Sequence, residues 1–263
     1  MSYNSTIKNC YGSVEVLKNG DGNNLVFIHG EEGPRDWLPY HDHLSKSFSV
    51  WAPSLPGTGG SQLPEWVNSV SDISKILLET LDKEKISTCI IVGCSLGGWI
   101  ASEMVSMDPS RFTGLVLSGS QGLPTGHLDT PDIFLTPYRN YIALGYNKTD
   151  SQEFSTLWKS EPDDKEIETD LEVMELTARI AFKPYMYDRS LLPSLSRYAK
   201  PSLLIWGDND VITPIVIAEQ FNSVLNNSKI TIVKNAGHYV HLEMPKDFSN
   251  AIIDFSKKNI EII

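Results

Sequence analysis

The chain has 263 residues, 41% of them hydrophobic and 21% charged, with a formal net charge of −11. That length bounds it to one large domain or one domain carrying an insertion, with enough chain to bury a substantial core. The acidic balance excludes a nucleic-acid backbone as partner.

The N-terminal residues MSYNSTIKNCYGSVEVLKNG hold no basic patch followed by an apolar run, so no secretory leader is read there. Residues 13–17 (SVEVL) alternate as a half-buried strand does, and the turn chemistry of NGDGN (19–23) predicts a hairpin at this end. LVFIH (25–29), closed by Gly30, reads as a buried strand. FSVWAP (48–53) is another, and it runs into the loop SLPGTGGS (54–61). Val67, Val70, Ile73, Ile76, Leu77 and Leu81 fall at helical spacing over 67–82. TCIIVG (88–93) predicts a strand, 96–107 a helix and FTGLVLSG (112–119) a strand. From about 121 to 199 the alternation stops. Proline, turn chemistry and helical spacing replace it, with an amphipathic helix over 167–182 and no clear strand. After Pro201 the pattern returns: strand 202–207, helix 214–225, strand 229–233 and a last helix near 246–258. Strands alternating with helices predict an α/β architecture, a largely parallel sheet covered on both faces. The core is then 1–120 with 200–263, and 121–199 is a helical insertion.

No segment approaches the ~18 apolar residues of a membrane span. Cys10, Cys89 and Cys94 form no disulfide framework, and such sparse cysteines fit a reducing compartment, so a cytoplasmic protein is expected. Between Lys159 and Thr177 eight acidic residues stand against two lysines, which reads as a solvated helix face.

The stretch IIVGCSLGGWIA (90–101) sets one serine among glycines where a strand turns into a helix. Gly93-Cys94-Ser95-Leu96-Gly97 fits G-x-S-x-G, the strained turn that lifts a hydroxyl above a sheet. Its glycines are read as steric necessities, since a Cβ two before or two after the serine would clash. A serine hydroxyl needs a general base, and the base an orienting group. His238 and His241 both follow the last strand. His238, in the loop straight after it, is preferred as base, with His241 a capping alternative. For the acid, the loop after strand 202–207 offers Asp210, preferred, or Asp208 as a turn former.

Other constellations are weaker. Gly57 and Gly59 hint at a dinucleotide fingerprint that fails at Gln62. His41-Asp42-His43 has no further ligand set nearby and reads as solvated surface, so no metal and no cofactor are expected. Cys94 should point into the core as a small hydrophobe. Phe134, Tyr138, Tyr141, Trp158, Phe182, Tyr185 and Tyr187 read as packing within the insertion, a minority lining an acyl or alcohol pocket.

Four features in order carry a family likeness over nearly the whole chain: HG (29–30), LPGTGGS (55–61), GCSLGG (93–98), and GDNDVITP (207–214) with AGHYVHLEMP (236–245). On these the chain resembles the α/β-hydrolase superfamily. The resemblance implies an eight-stranded, mostly parallel sheet with helices on both faces and a helical lid, or cap, inserted after the sixth strand. It implies Ser95 as nucleophile, His238 as base and Asp210 as acid. It also implies an oxyanion hole from the backbone N–H of Leu96 and of Glu31, with Glu32 the alternative second donor. HGEEGPRD (29–36) departs from many relatives in its acidic side chains. A carboxylate would repel an oxyanion, so Glu31 and Glu32 are expected to point away. Ser54 stands where relatives often carry aspartate, a structural change.

The expectation is a cofactor-free serine hydrolase that cleaves a carboxylic ester of a small or medium-sized substrate through an acyl-enzyme on Ser95. Relatives that open epoxides or remove halides use a carboxylate at this position, which argues against both reactions. The alternatives are a C–C bond hydrolase of a diketone-like substrate and a non-catalytic small-molecule receptor.

Overall fold

Strands that are apolar on both faces must be covered on both faces, and here that requirement orders the sheet. A computed structural model describes residues 3–126 and 128–259. Strands β1 (Tyr3–Asn9) and β2 (Gly12–Asn19) pair antiparallel around Cys10 and Tyr11. The hairpin therefore lies one element earlier than NGDGN predicts. That turn, with Gly20 at φ 88° and Gly22 at φ 113°, instead leads from β2 to β3 (Asn24–Ile28). These two are not neighbours, because β4 (Ser49–Pro53) lies between them. The reason is burial: Leu25–Ile28 are all buried and belong between two parallel strands, whereas alternating β2 suits a place near the edge.

Helix α1 (Pro39–Leu44) precedes β4, and its six residues are too few to show a helical period in the sequence. Helix α2 (Val70–Lys83) starts at Val70, later than the apolar spacing alone predicts, because Ser69 caps it and accepts the Asp72 N–H. Then come β5 (Cys89–Cys94), α3 (Leu96–Met107) and β6 (Phe112–Ser118).

Between β6 and the next strand lie helices only: α4 (Tyr138–Leu144), α5 (Gln152–Leu157), α6 (Asp164–Ala181) and α7 (Leu191–Leu195). Among the described residues of 121–199 the one β feature is an isolated bridge between Gly122 and Tyr187. Helix α6 opens three residues before the predicted 167, at a capping box of Asp163 and Glu166. Its acidic run is only partly a solvated face. Asp170 turns inward onto Arg139 at 2.6 Å, and Glu172 accepts the Gly59 N–H at 2.9 Å.

Strand β7 (Ser202–Gly207), α8 (Ile215–Val224), β8 (Ser228–Val233), α9 (Val240–Glu243) and α10 (Pro245–Asn259) complete the chain. The eight strands order as β1-β2-β4-β3-β5-β6-β7-β8, parallel from β4 onward. The core is continuous through the sheet, and each fully buried Leu, Ile or Phe contributes ~1.5–3 kcal/mol over its exposed state. No described helix is long and apolar enough to cross a membrane.

Candidate active site

The parallel strands deliver their C-terminal ends to one edge, where loops are free to carry chemistry. At the end of β5, Ser95 adopts φ 50° and ψ −119°, a left-handed backbone that a residue with a Cβ adopts only under constraint. The constraint is visible. A Cβ on Gly93 would run into the Gly97 carbonyl, and one on Gly97 into the Ile28 carbonyl of β3. Ser95 N–H donates to Ser118 O of β6 at 3.0 Å, and Gln121 N–H donates to Ser95 O at 3.0 Å. The serine is pinned from both sides and only 1% exposed.

His238 follows β8, and its main-chain N–H donates to Gly145 O of the insertion at 2.7 Å. Its Nε2 lies 2.6 Å from Ser95 Oγ, and its Nδ1 lies 3.0 and 3.1 Å from the Asp210 oxygens. Asp210, just beyond β7, is fixed by accepting from Ile212 N, Thr213 N and Thr213 Oγ1 at 2.8–3.0 Å. Burial alone would pull the His238 pKa down. The Asp210 carboxylate first, and Glu31 after it, outweigh that and push it up to about 10. The structure thus brings Ser95, His238 and Asp210 together. It leaves Asp208 facing Lys234 at 3.5 Å and His241 on α9, 3.3 Å from Glu32.

The loop after β3 overturns one expectation. Glu31 points into the site. Ser95 Oγ donates to its Oε1 at 2.6 Å, Leu96 N–H donates to its Oε2 at 3.2 Å, and Oε1 lies 3.6 Å from His238 Nε2. The expectation rested on repulsion from an oxyanion. In the unreacted site there is none, and donors arranged for an anion attract the nearest carboxylate instead. Glu32 does turn away from the serine: it accepts the Gly30 N–H at 2.9 Å and faces His241. Burial would raise its pKa, but His241, His29 and the Gly30 N–H lower it. His29 accepts the Leu55 N–H on Nε2 at 3.1 Å, so its Nδ1 carries the proton and donates to Gly30 O at 2.8 Å.

Two further contacts escaped the sequence reading, which placed Tyr138 only in the packing of the insertion. Thr213 Oγ1 bridges towards His238 Nδ1 at 3.1 Å, and Tyr138 Oη donates to Glu31 O at 2.6 Å from helix α4. Thr213 stands within GDNDVITP, where a hydroxyl three residues past an aspartate is a usable signal. Nothing local marks Tyr138, which meets Glu31 across 107 positions.

His41, read as solvated surface, is buried. It stacks on Trp37 with ring centroids 4.7 Å apart, and burial lowers its pKa to about 3. Cys94 is buried, and desolvation raises its thiol pKa well above the usual value. Among the described residues no group of three metal-ligating side chains converges. Of the insertion's aromatics, Tyr138, Tyr141 and Trp158 are buried, whereas Phe182 is 60% exposed. A cavity of about 270 Å³ lies at the seam of insertion and core, lined by Gln121, Leu123, Pro131, Tyr185, Met186 and Ile212.

The sequence pattern of the alpha/beta hydrolase family matches residues 25–251. A pimeloyl-[acyl-carrier protein] methyl ester esterase of Nitrosomonas europaea is 28% identical over 252 residues, spanning 90% of this chain and 96% of that protein. Among solved structures, a membrane phospholipase A superposes with a TM-score of 0.84 at 19% identity, covering 98% of this chain and 86% of that one. A 2-hydroxy-6-oxo-6-phenylhexa-2,4-dienoate hydrolase of Rhodococcus does so with a TM-score of 0.76 at 22% identity, covering 98% of this chain and 100% of that one.

Proposed function

The chain belongs to the alpha/beta hydrolase family, and we propose that within it the protein is a serine esterase working through an acyl-enzyme on Ser95. Ser95 Oγ attacks the ester carbonyl while His238 Nε2 takes its proton. Asp210 holds the imidazole tautomer and its charge. The main-chain N–H groups of Leu96 and Glu31 receive the oxyanion, and losing one such donor typically costs ~2.7–4 kcal/mol of barrier stabilisation. The alcohol leaves with the proton from His238. Water then attacks the acyl-enzyme, and the acid product departs.

The observation that carries this reading is the continuous chain from Asp210 through His238 to Ser95, in contacts of 2.6–3.1 Å at one sheet edge. In this reading 121–199 is a lid over a core of 1–120 and 200–263, and the protein works in the cytoplasm on a small or medium-sized ester. The Nitrosomonas europaea relative is a methyl ester esterase, so methyl esters of medium-length acids join p-nitrophenyl esters in the test series.

The test is turnover of that series by wild type and by Ser95→Ala, beside a vinylogous diketone. Ester turnover that Ser95→Ala abolishes, with folding unchanged by circular dichroism, supports the proposal. Turnover retained in Ser95→Ala rules out the mechanism. Cleavage of the diketone alone would move the protein to C–C bond hydrolysis. Ligand-induced stabilisation of Ser95→Ala with no turnover by wild type would make it a receptor.

A further inference from the structure

The proposed reaction gives the Glu31 side chain no task, yet that side chain holds the place where the substrate carbonyl must sit. One carboxylate oxygen is on the Leu96 N–H at 3.2 Å and the other on the Ser95 hydroxyl at 2.6 Å. A planar carboxylate so placed has the shape of the acid that ester cleavage leaves behind. The side chain is sealed from water, with 0% exposure. Its main chain is held from above by Tyr138 Oη at 2.6 Å and from below by the turn in which Gly33 N–H donates to Gly30 O at 3.2 Å. The flanking Gly30 N–H is in turn fixed by Glu32 at 2.9 Å.

We propose that Glu31 is a specificity-determining residue whose carboxylate occupies the carbonyl-binding position, yields it to a neutral ester, and returns to expel the carboxylate product. The inference rests on Ser95 acting as the nucleophile. Tethering gives Glu31 a high effective concentration at the Leu96 N–H, so a free acid competes poorly for the same donor. Two carboxylates enclosed within a few ångströms also repel each other. An ester carbonyl brings no such charge. It accepts a weaker hydrogen bond at first, then regains the full interaction as the oxyanion develops, which is the differential binding that lowers a barrier. Product release follows from the same competition. The exchange is of hydrogen bonds only: no covalent bond changes, and the Ser95 proton stays until acylation. An acyl group with its own anionic group beside the carbonyl is barred for the same reason as the product.

The test compares wild type, Glu31→Gln and Glu31→Ala. Both variants keep the residue 31 main chain, and Glu31→Gln keeps the shape while losing the charge, so it remains informative if Glu31→Ala does not fold. Acetate and butyrate binding is measured by calorimetry, and fluorophosphonate labelling of Ser95 is timed in each protein. The expected result is acetate affinity at least about tenfold tighter in Glu31→Ala than in wild type. Labelling should also quicken, most in Glu31→Ala, where the phosphoryl oxygen takes a vacated donor, and less in Glu31→Gln, whose neutral amide oxygen holds the Leu96 N–H more weakly than a carboxylate does. Equal acetate affinity in all three proteins, or slower labelling in both variants, overturns the proposal. Equal affinity with normal labelling leaves the esterase reading standing. Absence of labelling in all three proteins, with acetate affinity still gained, sinks the esterase reading and keeps Glu31 as the occupant.

Discussion

His238 faces two carboxylates, and that decides how the protein should respond to pH. Asp210 approaches from the loop after β7 and Glu31 from the loop after β3. The nearby phenols of Tyr141 and Tyr239 are neutral there, since burial raises both well above their usual value. Only neutral imidazole accepts the serine proton. With the ring pKa raised to about 10, kcat/KM of wild type for a neutral ester should climb through the alkaline range. Glu31→Gln removes one of the two raising charges, so its acid limb should move to lower pH. Paired pH–rate profiles check this, and coincident limbs would place the Glu31 charge away from the ring. The positions of Ser95, His238 and Asp210 were legible because each follows a strand and the glycines leave the turn one shape. The orientation of Glu31 was not. Charge reasoning on a sequence weighs the side chain against a reaction intermediate, whereas the resting site contains only the donors.

Short elements hide what they bury, and α1 is the case in point. His41 is the third residue of that helix, and its Nδ1 accepts the Leu38 N–H at 3.1 Å, which requires the neutral ring. Burial first, and the like charges of His241 and His29 after it, lower its pKa from 6.5 to about 3. The unfolded chain therefore binds this proton first. The neutral ring's contribution to stability is complete above about pH 6.5 and is lost as pH falls from there towards about 3. Between pH 7 and 5 the loss is about 2 kcal/mol, or roughly 4–8 °C in Tm for a chain of this size. His41→Gln keeps an acceptor for Leu38 N–H without titrating, so its Tm should fall less over that interval, by about that amount. Thermal melts of both proteins at pH 7 and pH 5 measure the difference, and parallel falls would refute it. Strands β2 to β8 and α2, α3, α8 and α10 were readable from apolar period, whereas β1, with the sequence YNSTIKN, is too polar to show one. The first hairpin was misplaced because turn chemistry marks a bend without naming which strands flank it in the sheet. A second check belongs at this scale. Gly97→Ala would press a Cβ against the main-chain carbonyls of Ile28 and His29 at the end of β3, which cannot rotate away, so it should destabilise by about 1–3 kcal/mol in denaturant unfolding.

The loss of strand alternation after β6 made the insertion legible, but its grip on the site was not, because that grip consists of single polar contacts across long separations. Tyr138 Oη holds Glu31 O at 2.6 Å, Glu172 holds Gly59 N–H at 2.9 Å, and Arg179 reaches Glu65 O at 3.2 Å. With Ser95 1% and His238 2% exposed, the proposed lid over 121–199 would have to part before a substrate reaches the hydroxyl. Tyr138→Phe tests how much one contact contributes. In the closed form it leaves the Glu31 carbonyl buried and unpaired, at a cost of ~1–3 kcal/mol. In an open form water satisfies the same carbonyl, so the cost falls on the closed form alone. The open population should then rise roughly 5–150-fold. Fluorophosphonate labelling of Ser95 should quicken accordingly, and hydrogen exchange across 138–181 should speed up, while acetate affinity stays that of wild type because the Glu31 carboxylate is untouched. Labelling at the wild-type rate would mean that the Tyr138 bond does not hold the insertion shut, and the remaining contacts to Gly59 and Glu65 would be the next to remove.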